Sequence, residues 1–213
     1  ITSDGVVMRD IRKKIGLVFQ YPEYQLFEET VAKDVAFGPA NLGLSEAEID
    51  ECVKEAIEMV GLDYEKVKNV SPFELSGGQK RRAAIAGVIA MKPEVLILDE
   101  PTAGLNPKAH ADILNMVETI HRKSKNIIFL VSHNMNDIAS MSDKVLVMNN
   151  GRLVMDGTPA EVFSREEELK SMGLALPDSM EIMMRLKKAG MDINTDCLTM
   201  DEAAEEIAKV LAK

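Results

Sequence analysis

Apolar positions in the first 163 residues form two kinds of run, either short and continuous or spaced at helical intervals. The run at the end of residues 11–20 predicts a strand that closes at Gln20. Val95–Leu98 and Ile127–Val131 are continuous apolar runs, typical of strands buried on both faces of a parallel sheet. Strands that alternate with helices in this way indicate an α/β domain.

Helical spacing fills the segments between these strands. Ser45 and Glu48 form a capping box, after which apolar residues recur at helical intervals until Gly61. The remaining predicted elements are a helix at Lys80–Met91, a helix at Ala109–Arg122, and a hairpin whose strands, Lys144–Met148 and Arg152–Met155, flank Asn149-Asn150-Gly151. We therefore expect a core domain over residues 1–163.

The pattern changes after Phe163, and residues 164–213 contain no strand signal. Asp178 opens one predicted helix that ends at Gly190, and Thr199 with Glu202 forms a capping box for a second. The apolar residues on one face of the second helix are Ile207, Val210 and Leu211. We interpret residues 164–213 as a small helical C-terminal domain.

Two interpretations of this tail stay open, a solvated appendage and a module for dimerisation or docking. The second is favoured because the tail has more apolar surface than two short helices can bury alone. The side chains concerned are Met180, Met183, Met184 and Leu186.

Composition excludes some classes of function. A formal net charge of -10 argues against nucleic acid as a partner, since phosphate-driven binding needs clustered Lys and Arg. No run of 18 apolar residues occurs, so no membrane-spanning helix is expected, and residues 1–4 have no signal-peptide character. Cys52 and Cys197 lie far apart, which favours reduced structural thiols in a cytosolic protein.

Candidate chemistry begins with two acids after the second buried strand. Asp99-Glu100 follows directly on Val95–Leu98, and ligands of α/β sheets lie beyond the carboxyl ends of the strands. One carboxylate there can hold Mg²⁺, and the next can orient a water for attack on phosphorus. Taken alone, such a pair is more often a helix cap.

Three further positions give signals that are weak in isolation. Ser76-Gly77-Gly78 precedes a helix and can form an anion site, although two glycines before a helix are more often a tight turn. His133 follows Ile127–Val131 and so lies at the same predicted edge as Asp99, but a lone His is more often structural. Gln20, also after a strand, can place an amide near the same metal or water. In this order along the chain, the four signals together favour a nucleotide site.

At this point the chain resembles the nucleotide-binding subunits of ABC transporters, over about residues 11–163. The matching motifs are the Q-loop glutamine at Gln20, the signature motif at Leu75–Gln79, the Walker B strand and adjacent glutamate at Val95–Glu100, the D-loop at Ala103–Asn106 and the switch histidine at His133. The resemblance implies a P-loop NTPase-type ABC nucleotide-binding domain with a helical subdomain over about residues 24–91.

The resemblance also implies a role for each motif residue in hydrolysing ATP, with Mg²⁺ as cofactor. Asp99 and Gln20 would hold the metal, and Glu100 would polarise the attacking water. His133 would contact the γ-phosphate. The nucleotide-binding residues would be Ser76, Gly77, Gly78, Gln79 and Asn106, of which the first three would close over ATP bound by a partner subunit.

The sequence after the Q-loop narrows the resemblance to one group of ABC ATPases. Phe19–Val31 and Asp34–Pro39 look like the ATPases of energy-coupling factor (ECF) importers, which bring vitamins and transition-metal ions into prokaryotic cells. Tyr24–Glu29 is most similar to the second, A-prime-type ATPase of that family. The family pairs two ATPases head to tail and couples them to a transmembrane T component that carries a substrate-binding S component. The resemblance therefore implies a peripheral subunit at the cytoplasmic face of the cell membrane.

Two departures from the family pattern stand out. No G-x-x-x-x-G-K-[ST] phosphate-binding loop occurs in the 213 residues. The family places that loop upstream of the Q-loop, so we expect it before Ile1, and we expect the 213 residues alone to bind ATP poorly and hydrolyse none. The second departure is Asn106, where the family usually has Asp, which leaves open the contact that the D-loop makes across the dimer.

Alternative functions remain within and outside the transporter class. Another ABC importer, such as a cobalt or nickel system, is the alternative within it. A soluble ABC protein acting on DNA or ribosomes is disfavoured by the acidic charge and ordinary segment lengths, and an inactive dimerisation partner is a third interpretation. The solute stays unnamed, because the S component chooses it.

The segment Glu23–Glu29 mixes acids with apolar side chains directly after Gln20. An ordinary loop is one interpretation. The favoured one is a groove that receives a short coupling helix from the T component, where Glu23, Glu28 or Glu29 would pair an arginine of that helix.

Overall fold

The computed structural model describes residues 7–212 and divides the chain into two compact units. The first unit extends to Val131 and the second begins at Ser132. The predicted boundary at Phe163 is a different division of the chain, and it stays a prediction. The expectation of no signal peptide rests on residues 1–4, which lie outside the described residues.

The first unit contains a parallel sheet and the helices around it. In chain order its elements are α1 (Met8–Lys14), β1 (Ile15–Val18), α2 (Val31–Leu42), α3 (Glu46–Met59), α4 (Tyr64–Val67), α5 (Gly77–Ile89), β2 (Val95–Asp99), α6 (Pro107–Ser124) and β3 (Ile127–Val131). Two short 3-10 turns, Pro22–Gln25 and Pro72–Glu74, join them. Helical elements thus fill the chain between β1 and β2.

The described part of the sheet has the order β1-β2-β3, with both pairs parallel. The central strand β2 is the most buried, and its Leu96 and Leu98 are fully inaccessible. The predicted α/β class is confirmed, and strands form at both predicted runs. The prediction that both are buried on two faces is wrong for β3, because its Ile127, Phe129 and Val131 are exposed on one face in the described structure. The first strand begins at Ile15, because the charged residues before it form the last turn of α1, and it ends at Val18, two residues before the predicted end at Gln20.

Local capping signals fix several helix ends. The backbone N–H of Ser45 donates to Glu48 Oε2 at 2.8 Å, which closes the predicted capping box of α3. The chain leaves that helix through Gly61, whose φ of +76° lies in the left-handed region that glycine adopts without strain. Helices α2 and α3 and α5 then pack together around fully buried Val35, Ile57 and Ile85.

The second unit combines a hairpin with short helices. Its elements are α7 (Met135–Met141), β4 (Val145–Asn149), β5 (Arg152–Gly157), α8 (Pro159–Phe163), α9 (Glu166–Ser171), α10 (Asp178–Lys188) and α11 (Met200–Leu211). Strands β4 and β5 pair antiparallel, and Asn150 and Gly151 between them both have positive φ, as a two-residue type I′ turn requires. The predicted hairpin is confirmed.

The C-terminal helices bury more of their apolar surface than expected. Met180 is 2% exposed and Met183 is inaccessible. Met183 packs with Ile193 and Cys197 in a small cluster of its own. These two methionines therefore offer no exposed apolar surface to a partner, and the interpretation of the tail as a docking module stays a prediction. Among residues 7–212, no helix is both long enough and apolar enough to cross a bilayer.

Candidate functional site

The ends of two neighbouring strands bring Gln20 and Asp99-Glu100 to one edge of the sheet. Val18, the last residue of β1, is in register with Leu98 of β2. Gln20 follows β1 by two residues and is exposed, whereas Asp99 closes β2 and is half-buried, as is Glu100. Because parallel strands end side by side here, an amide and two carboxylates share the edge beyond which α/β sheets bind ligands.

Glu100 has a strained backbone. Its φ is +48°, which costs an L-residue about 1–2 kcal/mol. The strand edge holds it there, since the Glu100 N–H donates to the Val131 carbonyl at 2.9 Å and the Ala103 N–H donates to the Glu100 carbonyl at 3.1 Å. Residues kept in such conformations by their surroundings cluster at active sites, so the strain marks Glu100 as a candidate functional residue.

The signature motif begins helix α5. The Ser76 N–H donates to Gln79 Oε1 at 3.0 Å, and the Gln79 N–H donates to Ser76 Oγ at 3.4 Å, which together form a capping box. The helix therefore begins at Gly77, three residues before the predicted start at Lys80. The exposed N-terminus of α5 presents backbone N–H groups that can bind an anion.

The two signature glycines are not required by the packing of this chain. A Cβ atom placed on Gly77 or Gly78 would meet nothing within 4 Å, and neither residue has a positive φ. By contrast, a Cβ on Gly16 would lie 2.7 Å from Val88 Cγ1. The space beside Gly77 and Gly78 is open to a molecule that approaches the helix from outside the unit.

Asn106 caps helix α6. Its Oδ1 accepts a hydrogen bond from the Ala109 N–H at 3.0 Å, and Pro107 takes the first helical position. This role explains why α6 begins two residues before the predicted helix start. An amide serves the cap as well as a carboxylate does, so the departure from the family's Asp leaves the helix intact.

His133 follows β3 by two residues and belongs to the second unit. It is exposed and directly precedes Asn134, whose side chain caps α7. The division between the units falls between β3 and His133, so the expected meeting of His133 with Asp99 stays a prediction.

One cluster in the first unit was missed by the sequence interpretation. Arg81 of α5 is only 3% exposed, and its Nε and Nη2 donate to the two carboxylate oxygens of Glu23 at 3.0 and 2.7 Å. Burial acts to raise the pKa of Glu23, but the hydrogen bonds and the charge of Arg81 outweigh it and lower that pKa. No local signal finds this pair, because 58 positions separate its members in the sequence.

A cavity of about 500 Å³ lies between α2, α5 and the segment after the Q-loop. Phe27 and Phe37 meet edge to face in its wall, with ring centroids 5.0 Å apart, and both are about half exposed. Asp34 Oδ2 accepts from the N–H groups of Phe27 and Glu28 at 2.8 and 2.9 Å and so fixes the lip of the cavity. Arg12 adds a positive charge to the lining.

The acids predicted to meet an incoming arginine differ in availability. Glu23 is committed to Arg81, which removes it from that set. Glu29 makes an exposed pair with Lys33 at 2.7 Å, and its side chain is 81% accessible. Glu28 is half-buried beside the cavity lip. The structure therefore leaves Glu28 and Glu29 as the candidates.

Known proteins resemble this chain over nearly all of its length. The model of the ABC transporter family matches residues 2–103. The energy-coupling factor transporter ATP-binding protein EcfA2 of Caldanaerobacter subterraneus subsp. tengcongensis is 57% identical over 211 residues, which cover 99% of this chain and 73% of that protein. EcfA2 of Clostridium tetani is 55% identical over 210 residues, with the same two shares of 99% and 73%.

Two solved structures also resemble this chain. The structure of cbiO1 from Clostridium perfringens, part of the ABC transporter complex cbiONQ, superposes with a TM-score of 0.68 and 37% identity over 86% of this chain and 68% of that one. The ATP-binding cassette MJ0796, bound to ADP and Pi, gives a TM-score of 0.60 at 24% identity over 75% of this chain and 70% of that one, which shows the fold alone. This chain therefore belongs to the ABC transporter family, among the energy-coupling factor transporter ATP-binding proteins.

Proposed function

We propose that this chain is the ATP-binding and ATP-hydrolysing subunit that powers an ECF-type importer of vitamins or transition-metal ions, in the position of the second, A-prime-type ATPase. The observation that carries the proposal is the common sheet edge of Gln20 and Asp99-Glu100 in a member of this family. In this position the subunit binds peripherally at the cytoplasmic face of the membrane. Its partners are a second ATPase, a T component and, through the T component, an S component.

The oxygen ligands at the sheet edge fit a magnesium ion that arrives with a nucleotide. Among the described residues no group of three or more His, Cys, Asp or Glu side chains can hold a metal alone. Mg²⁺ in phosphoryl-transfer sites takes one or two protein carboxylates and completes its shell with phosphate oxygens and water. Asp99 and Gln20 suit that arrangement, and the bound ion neutralises charge on the phosphates.

Catalysis then needs positioning and one base. Glu100 carries the carboxylate that orients the attacking water and accepts its proton, and the strained backbone holds it at the strand end. His133 contacts the γ-phosphate. Little else is required, because phosphoryl transfer depends mainly on orientation and on stabilising charge.

The signature motif acts on nucleotide bound by the partner ATPase in a head-to-tail dimer. Gly77 and Gly78 leave open space over the first turn of α5, and Ser76 and Gln79 present the polar groups there. Phosphate approaching this turn meets backbone N–H groups and the positive end of the helix. Asn106 lies at the start of α6 in the D-loop, which contributes to the same dimer interface.

A mixed dimer of full-length subunits with separately labelled sites tests this arrangement. Ser76→Arg fills the open space over α5, so it should abolish labelling by a photoreactive ATP analogue at the partner's site and leave this chain's own Walker B site labelled. Lys33→Arg, an exposed change on α2, is the control. Loss of label confined to this chain's own site would contradict the proposal.

The cavity beside the Q-loop receives a coupling helix of the T component. Phe27 and Phe37 supply apolar anchors, and Glu28 and Glu29 supply acids for an arginine of that helix. Truncating one side of a desolvated charge pair costs about 2–5 kcal/mol of binding. The site lies only a few residues beyond Gln20, so docking and metal binding can influence each other.

Co-purification in detergent measures this docking. Glu28→Lys with Glu29→Lys should release the T component while the two ATPases still pair and hydrolyse ATP. Glu65→Lys, an exposed acid on α4, is the matched charge-reversal control. Full retention of the T component by the Glu28→Lys, Glu29→Lys variant would place the docking surface elsewhere.

A second candidate is the ATPase of another ABC importer, such as a cobalt or nickel system. The likeness to cbiO1, part of the ABC transporter complex cbiONQ, favours it. The two candidates separate in proteoliposomes that contain the assembled transporter, where ATP-dependent uptake of labelled vitamins is compared with that of Co²⁺ and Ni²⁺.

A further inference from the structure

The guanidinium of Arg81 joins three separate segments of the first unit. Two of its nitrogens bind the carboxylate of Glu23, in the turn that follows Gln20. The third, Nη1, donates to the carbonyls of Pro101 and Ala103 at 3.2 and 2.9 Å, in the segment that follows Glu100. The side chain itself belongs to α5, five residues after Ser76.

The environment makes this junction rigid. Arg81 is 3% exposed and the Glu23 side chain 18% exposed, so most of the pair is shielded from bulk water. A planar guanidinium that binds both oxygens of one carboxylate fixes orientation as well as distance. Lysine cannot reproduce this, because its ammonium is a point charge without the planar fork.

A second contact between the same segments supports the junction. Tyr21 lies under Arg81, with the guanidinium carbon 5.7 Å from the ring centroid. A Cβ atom on Gly104 would lie 3.5 Å from Tyr21 Cε1. The ring of Tyr21 thus packs between α5 and the D-loop, directly after Gln20.

We propose that Arg81 is a positioning residue that makes the Q-loop turn, the start of the signature helix and the segment after Glu100 move as one body. The inference rests on the proposed function, because it assigns a role to the link between the docking cavity and the ATP site. Gln25, Leu26 and Phe27 line the cavity and lie two to four residues after Glu23. A shift of the docked helix therefore reaches Glu23, then Arg81, and through α5 the signature motif at Ser76.

Charge burial explains why this link transmits displacement instead of breaking. Separating Glu23 from Arg81 would leave two unpaired charges in a largely buried position, which is strongly unfavourable. Withdrawal of Arg81 itself would also leave the carbonyls of Pro101 and Ala103 without the Nη1 donor. The three segments consequently shift together. A displacement at the cavity therefore moves both the signature motif and the segment after Glu100.

The test is the number of ATP molecules hydrolysed per solute imported by the assembled transporter in proteoliposomes. Glu23→Gln and Arg81→Lys should each raise this ratio at least about tenfold, because hydrolysis continues without moving the membrane subunits. In the double variant the ratio should be no higher than in the worse single variant, since residues that act as one unit give non-additive effects. Unchanged ratios in both single variants, or a multiplied effect in the double variant, would overturn the inference.

Controls separate coupling from loss of structure. Lys92, three residues after α5, pairs with Glu55 of α3 at 2.7 Å, but both side chains are about half exposed. Glu55→Gln should leave the ratio at the wild-type value. If Arg81→Lys does not assemble, Glu23→Gln decides alone, because it keeps the shape of the side chain and the bonds of Arg81 to the two carbonyls. A wild-type complex that hydrolyses ATP without importing any solute would contradict the proposed function itself.

Discussion

The two halves of the candidate site are built in opposite ways. At the end of β2 the chain strains its own backbone, with Glu100 at a φ of +48° and held by hydrogen bonds from neighbouring segments. At the start of α5 the backbone is relaxed and capped, and its two glycines face open space. Contacts within the unit therefore determine the backbone at the Walker B end, whereas the signature end has open space beside its glycines.

Because of this difference, substitutions at the two ends should affect stability and function differently. A substitution at the Walker B end changes a conformation that the sheet enforces, so it alters folding as well as chemistry. At the signature end a substitution leaves the unit's own packing untouched. Loss of activity without loss of stability is typical of a surface that binds a partner.

The largest expected effect is on catalysis by Glu100. In the assembled transporter, Glu100→Gln should slow ATP hydrolysis by about 10²–10⁴-fold, the usual loss when a general base is removed. Binding of ATP should persist, because Gln keeps the shape of the side chain.

A matched substitution at the other end of the same strand serves as control. Glu94 directly precedes β2 and forms an exposed pair with Lys14, so Glu94→Gln should leave hydrolysis near the wild-type rate. Steady-state phosphate release measures both variants. Near-normal turnover by Glu100→Gln would move the base elsewhere, with His133 the next candidate.

The glycines distinguish the two kinds of surface most directly. Gly16→Ala would force a Cβ within 2.7 Å of Val88 Cγ1 and should destabilise the first unit by about 1–3 kcal/mol. Gly77→Ala or Gly78→Ala should leave the free energy of unfolding unchanged or raise it by up to about 1 kcal/mol. Urea unfolding compares the three variants.

The same signature variants should fail in function. A methyl group over the first turn of α5 obstructs the approach of phosphate, so hydrolysis by the assembled transporter should fall at least about tenfold, a barrier increase of about 1.4 kcal/mol. Destabilisation by Gly78→Ala as large as that of Gly16→Ala would show that packing within the first unit constrains the signature motif as well.

Strain at Glu100 is smaller and can be isolated with two substitutions. Glu100→Ala removes the side chain and keeps the positive φ unfavourable, whereas Glu100→Gly removes both. The glycine variant should be more stable than the alanine variant by about 1 kcal/mol, since only glycine adopts this conformation without strain. Equal unfolding midpoints in urea would contradict the strained geometry.

The smallest expected effect is on stability at acidic pH. The folded-state pKa of Glu23 lies below its ordinary value of about 4.3. Its stabilising contribution is therefore complete above that value and is lost as pH falls from there toward the lower folded-state pKa. Glu23→Gln should flatten the pH dependence of stability in this acidic range, as followed by urea midpoints. An equal change of stability with pH in the variant and in the wild type would show that the pair of Glu23 with Arg81 does not cause this pH dependence.

The sequence predicted those parts of the structure that depend on neighbouring residues. The capping boxes of α3 and α11, the positions of strands β2 and β3 and the hairpin turn all follow from residues a few positions apart. The exposure of one face of β3 does not follow from its apolar sequence. The motif residues were recognised because their order along the chain is distinctive. The end of β1 was predicted two residues too late, at Gln20, because the apolar run continues through Phe19 although pairing with β2 stops at Val18.

Tertiary contacts account for what the sequence interpretation missed. Nothing near Arg81 in the sequence identifies Glu23 as its partner, and Glu23 was interpreted as a docking acid for that reason. The close approach of Gly16 to Val88 is equally invisible without the fold. Burial of Met183 also depends on packing with Ile193 and Cys197, which helix length alone does not predict.

The order of the strands has a consequence for how the protein folds. Val95 of β2 aligns with Ile127 of β3, about 30 positions later, but also with Ile15 of β1, about 80 positions earlier. Closing the longer loop costs only about 0.8 kcal/mol more in chain entropy. Contacts of such high sequence separation nevertheless slow folding. We therefore expect β2 and β3 to pair first, and β1 to join only after α2, α3 and α5 have packed and brought Ile15 within reach.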